Sequence, residues 1–167
     1  MASVVADTSA FVSLGIVDDA PAPLSVVLDE YTVLVPEVVV DELNEVASYD
    51  DAHGRAAGRV LDRIESFSTR SIELDAEFPL DDGENAAVSL ANKVDADLLL
   101  CDEFNRLGLV HASLVDTRLV TTPTLLAVCV RNGWLSTGEA QSALAAISTT
   151  RSWDENSYVQ RARSLLE

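Results

Sequence analysis

Lysine is almost missing from this chain. Lys93 is the only one, beside ten arginines, and 28 acidic residues outnumber the 11 basic ones for a formal net charge of −17. Aromatic residues make up only 5% against a hydrophobic fraction of 48%, so the core must be built mostly from Val, Leu, Ile and Ala. No apolar run approaches the ~20 residues a membrane-spanning helix needs. The start, Met1-Ala2-Ser3-Val4-Val5, has no basic stretch and runs straight into a strand-like segment, so no signal peptide is expected. Two cysteines, Cys101 and Cys129, both lie in apolar segments away from the two histidines. That pattern excludes a clustered zinc site and points to free buried thiols in a reducing cytoplasm. There is no serine-histidine pairing, no glycine-rich phosphate loop, no internal repeat and no low-complexity segment.

What the chain has in excess is carboxylate. Acidic residues dispersed throughout, with lysine nearly absent, match the composition of proteins from extreme halophiles. A chain this acidic should repel nucleic acid, whose binding is driven by phosphate neutralisation. At ~1 M salt, however, the Debye length is only ~3 Å, and local contacts decide what binds. The charge therefore speaks to habitat before it speaks to ligand.

Length suits one domain. Short apolar runs alternate with amphipathic stretches, which predicts an α/β fold around a parallel sheet. Strands are expected at Ser3–Ala6, Thr32–Val35, Arg70–Leu74, Asp97–Cys101 and Arg118–Val120, with the leucine-rich fourth one central. Helices are expected over Thr8–Ile16, Pro21–Tyr31, from Pro36 onward, and over Asp51–Phe67 and Asp81–Val94. Further helices should cover Glu103–Ser113, Pro123–Arg131, Thr137–Ser148 and Asp154–Leu166, with a polar break at Ser148–Ser152.

Most of the acids must be surface solvation, and four stand where a carboxylate is structurally expensive. Asp7 ends the first strand and opens the first helix. Carboxyl ends of strands are where open α/β sheets bind ligands, although Asp is also a good helix N-cap. Glu42 has Val38 and Val46 at i±4 and Val39 at i−3, at the edge of an apolar stripe, whereas Asp41 has Glu37 and Glu45 at i±4 and belongs to the wet face. Glu84 sits on the buried side of a helix start, with Ala87 and Val88 at i+3 and i+4; the plain alternative is a capping box with Asp81. Asp102 follows Leu98-Leu99-Leu100-Cys101 directly. Together they suit a hard divalent cation, which takes oxygen ligands and activates water for phosphoryl displacement. His53 and His111 stand alone and read as surface or packing residues.

The segments Val-Val-Ala-Asp7-Thr-Ser, Val35-Pro36-Glu-Val-Val-Val-Asp-Glu42-Leu, Leu80-Asp-Asp-Gly83-Glu84-Asn-Ala-Ala and Ala96-Asp-Leu-Leu-Leu-Cys-Asp102 resemble the PIN-domain family in order and spacing. The resemblance runs from about Val4 to Trp134 and is closest to prokaryotic PIN ribonucleases. It implies a Rossmann-like parallel sheet flanked by helices, with residues 1–134 as the PIN domain and 135–167 as a C-terminal helical extension packed on it. It also implies a metal-dependent endoribonuclease cutting single-stranded RNA. Asp7, Glu42, Glu84 and Asp102 would then be the catalytic set and hold Mg²⁺ or Mn²⁺, with Thr8 or Ser9 supporting the first carboxylate. Leu100 replaces the Thr common two residues before the fourth acid. Helices beyond Trp134 offer a surface for a homodimer or another partner. Many family members are toxins held by an antitoxin protein.

Two other readings compete with the nuclease. One is a non-catalytic PIN-like module that binds RNA or protein. The other is a phospho-acceptor receiver domain. That class needs an adjacent acidic pair at the first strand and a lysine on a late strand, whereas Asp7 stands alone and Lys93 falls in a helix.

Overall fold

The computed structural model describes every residue from Met1 to Glu167. Its strands are β1 (Ser3–Ala6), β2 (Thr32–Pro36), β3 (Ser68–Arg70), β4 (Leu98–Leu100) and β5 (Arg118–Val120). All pair in parallel, in the order β3-β2-β1-β4-β5. β1 is therefore the middle strand. β4, expected there for its leucines, lies one place over between β1 and β5. Any strand with neighbours on both edges and helices on both faces reads as apolar, so hydrophobicity alone does not rank the interior ones.

Nine helices cover the sheet. The first six are α1 (Thr8–Ile16), α2 (Pro23–Glu30), α3 (Glu37–Ala47), α4 (Ala52–Leu61), α5 (Asp82–Val94) and α6 (Leu107–Ser113). The last three are α7 (Thr122–Arg131), α8 (Thr137–Arg151) and α9 (Ser157–Leu165). Side chains alternate across the sheet as strand geometry requires. Val4, Ala6, Val33, Val35 and Leu100 enter the larger core, while Val5, Leu34 and Leu99 enter the smaller one beneath α5 and α6. Ala140, Leu144 and Ile147 of α8 and Val159 and Ala162 of α9 belong to the larger core.

The third strand falls at Ser68–Arg70 and not at Arg70–Leu74, and other boundaries differ from the expected ones for local reasons. The stretch Asp51–Phe67 is not one helix: α4 stops at Leu61 and a 3₁₀ turn covers Ile64–Ser66. A 3₁₀ turn keeps i, i+3 neighbours on one side, so the apolar period carried across the break. Pro36 closes β2 and caps α3 instead of opening it. α8 runs through the polar Ser148–Arg151 stretch and ends at Ser152, in the left-handed region at φ 58°. Ser148 is fully buried, which makes that turn part of the packed structure.

The chain carries a net charge of −17 and forms only three ion pairs. Self-repulsion should weaken the compact state at low ionic strength. The melting temperature is therefore expected to climb strongly from ~0.1 M to ~2 M KCl, as the Debye length falls from ~10 Å toward its ~3 Å value at 1 M. A flat profile would remove the salt-adapted reading of the composition.

Candidate metal centre and its cleft

The chain runs from β1 outward to β2 and β3, then crosses back to β4 and β5 on the other side. That reversal puts the topological switch point between β1 and β4, where crevices open in parallel α/β sheets. Asp7 leaves β1 at this point and Asp102 follows β4 by two residues. Each is 3% exposed.

Ser9 ties the two together. Its hydroxyl donates to Asp7 Oδ1 at 2.7 Å and accepts from the Asp102 backbone N–H at 2.9 Å. Asp7 Oδ1 also accepts from the Ala10 N–H at 3.0 Å, so Asp7 does cap α1. Asp102 Oδ1 accepts from the Thr122 N–H at 2.7 Å, at the start of α7, where helix N–H groups favour a carboxylate. Its other oxygen, Oδ2, is buried and has no partner. Burial pushes the Asp7 carboxyl up to about 7, with Ser9 pulling the other way and Asp102 adding repulsion. Burial likewise raises Asp102, against the hydrogen bond from Thr122.

Glu42 comes from α3, half-buried, while Asp41 beside it is exposed. Thr8 does not support Asp7. Its hydroxyl donates to Glu42 Oε2 at 2.7 Å. The Glu42 carboxylate rests against Gly83, where any Cβ would overlap it. Glycine is thus what allows the start of α5, and with it Glu84, to come this close to α3. Burial raises the Glu42 carboxyl, and Asp81, Asp82 and Glu45 add to the rise.

Glu84 is 3% exposed, and both its oxygens accept from Arg106 Nε, at 2.6 and 2.8 Å. Arg106 also donates to the Pro79 carbonyl at 3.1 Å. Asp81 caps α5 through the Glu84 N–H at 2.9 Å. Sequence reasoning had no signal for Arg106, because the pair joins residues 22 positions apart.

Only Asp7 and Asp102 among the four acids share a hydrogen-bond partner. Asp7 and Asp102 are linked through Ser9, Glu42 lies against Gly83, and Glu84 is held by Arg106. No three Asp, Glu, His or Cys side chains close into a ready-made metal group. A family model of the PIN domain matches residues 3–167. The chain belongs to the PIN-domain family. The match extends through α8 and α9 to the last residue. A comparison with curated proteins finds no match. PIN domains have a nuclease-like fold and typically use divalent metals. In this one, the bare Oδ2 of Asp102 beside a buried carboxyl is the arrangement such an ion suits. Mg²⁺ usually takes one or two carboxylates and keeps several waters, so a closed cage of three is not required. No helix here is long and apolar enough to cross a membrane.

Proposed function

We propose that this PIN domain is an endoribonuclease that hydrolyses phosphodiester bonds of single-stranded RNA with Mg²⁺ or Mn²⁺. The observation that carries the reading is the unpartnered, buried Oδ2 of Asp102, joined through Ser9 to Asp7 at the switch point of the sheet. Asp7 and Asp102 would hold the ion. Bound there, it would act as a Lewis acid and lower the pKa of water. Glu42, anchored by Thr8 on the cleft wall, would orient the attacking water and accept its proton. Glu84, its carboxyl raised by burial against the pull of Arg106, would stand behind the site as one half of an ion pair. The family implies in-line attack leaving 5′-phosphate and 3′-hydroxyl ends. The two buried free thiols suit a reducing, cytoplasmic setting.

The Arg106–Glu84 pair favours a second reading, a PIN-like module that binds RNA without cutting it, because it engages both oxygens of one expected ligand. A mixed single-stranded RNA pool, incubated in molar KCl with and without Mn²⁺, separates the two. Metal-dependent cleavage is expected. Glu42→Gln should slow it by at least ~100-fold, the range of a lost general base. Asp41→Asn should cut like the wild type. Binding without cleavage under any divalent ion selects the second reading, and equal losses from the two variants dismiss Glu42 from its role.

A further inference from the structure

Two clefts open beside the carboxylates, and they share Thr8, Glu42, Val46 and Tyr49. One, of about 660 Å³, adds only Glu45, Asp81 and Asp82. The other, of about 580 Å³, continues past Asp51, His53 and Glu103 to Arg151. A polyanion entering the first meets carboxylates with no counter-charge. The second holds the one arginine of either cleft.

We propose that Arg151 and Tyr49 form the channel for the RNA strand, Arg151 binding a backbone phosphate and Tyr49 stacking on a base. The inference rests on the ribonuclease reading and assigns its substrate path. Arg151 reaches the cleft because α8 continues past Ser148. Its Nη1 donates to the Ser9 carbonyl at 3.3 Å, and its guanidinium lies 5.5 Å from the Trp153 ring. Trp153 packs edge-on against Phe104 at 4.8 Å, and Phe104 stands two residues after Asp102. The arginine is thereby fixed relative to the loop that carries the candidate ligand. Of the five N–H donors on a guanidinium, the protein occupies one, and no carboxylate pairs with it. The rest suit a phosphate, which arginine grips with two parallel bonds. Tyr49 is 53% exposed on the shared rim, where a flat apolar ring serves any base.

The test is binding of a short fluorescent single-stranded RNA, read by anisotropy over a KCl series, with Ca²⁺ replacing Mn²⁺ to prevent cleavage. Arg151→Gln should weaken binding about tenfold, the worth of one charge-assisted contact. It should also reduce the slope of log K against log [KCl] by about 0.7, the share of one phosphate on a single strand. Arg151→Lys should restore the slope. Tyr49→Ala should weaken binding about tenfold with the slope unchanged. A merely structural arginine would not move the slope, so a wild-type slope in Arg151→Gln overturns the channel. Wild-type protein that binds no RNA overturns both the channel and the ribonuclease reading; wild-type protein that cleaves while the variants bind normally overturns the channel alone. Crosslinking of 5-iodouridine RNA to the wild type needs no variant to fold. An adduct on Tyr49 supports the path, and one confined to Asp81–Asp82 and their neighbours overturns it.

Discussion

Without divalent metal at pH 8, Asp7→Asn is expected to melt above the wild type, while losing nuclease activity outright. The Asp7 carboxyl ionises at about 7 in the folded protein, against 3.8 for a free side chain, chiefly because it is buried. Below about pH 4 both the folded and unfolded chains keep the proton, and the group costs nothing. As pH rises from there toward 7 the unfolded chain releases its proton first. The folded state then binds more protons than the unfolded one, so stability falls with rising pH. Above about 7 the full penalty stands, on the order of 4 kcal/mol for a shift of about three units. Asparagine cannot ionise, yet its amide oxygen still accepts from the Ala10 N–H and the Ser9 hydroxyl, so the cap on α1 survives.

The variant should therefore match the wild type near pH 4 and draw ahead through pH 7, by as much as ~8–16 °C for a domain of this size. Mn²⁺ should erase that lead. An ion that binds only the folded wild type stabilises it by ~4.1 kcal/mol at a thousandfold excess over Kd, enough to match that penalty, and the variant should gain nothing. Scanning melts of both proteins at pH 4, 6 and 8, with and without Mn²⁺ at fixed ionic strength, carry the test. A constant deficit in the variant under all conditions would make Asp7 a cap and nothing more.

Asp7 and Glu42 were legible because local rules reach them. A strand end followed by a helix start locates Asp7, and neighbours at i±3 and i±4 separate Glu42 from Asp41. β1 and β5 match their expected bounds for the same reason, as alternating or apolar runs closed by turn residues. The Arg106–Glu84 pair and the approach of Arg151 were not legible. Both depend on where distant segments meet, and no periodicity encodes that. Arg151 was also hidden by composition. Ser148-Thr149-Thr150 reads as a break, because short polar side chains compete with helix hydrogen bonds. Burial of Ser148 overrides that preference, and a left-handed serine closes the helix where glycine is usual. Of Thr8 and Ser9, both expected near the first carboxylate, Ser9 bonds Asp7, while the Thr8 hydroxyl turns from the start of α1 to Glu42 on α3.

Gly83→Ala should lower cleavage by about 100-fold while leaving the melting temperature unchanged or slightly higher. Gly83 lies in the first turn of α5 without a positive φ, so alanine fits its backbone. By helix propensity alone the change is favourable by up to ~1 kcal/mol. The new methyl, however, would overlap the Glu42 carboxylate, standing 2.7 Å from Oε2 and 2.8 Å from Cδ. That group is the end of a flexible side chain, so it can swing aside at little cost in stability. In doing so it leaves the Thr8 hydroxyl and its place on the cleft wall. A reacting group displaced by about 1 Å costs on the order of 100-fold in rate. Gly58→Ala is the control: nothing lies within 4 Å of a Cβ there, so it should bring the helix gain of about 1 kcal/mol with full activity. Cleavage rates and melting curves for the two variants, measured side by side in Mn²⁺ and molar KCl, separate position from stability. If Gly83→Ala cuts as fast as Gly58→Ala, Glu42 does not act from where Thr8 holds it, and its part in the reaction falls with it.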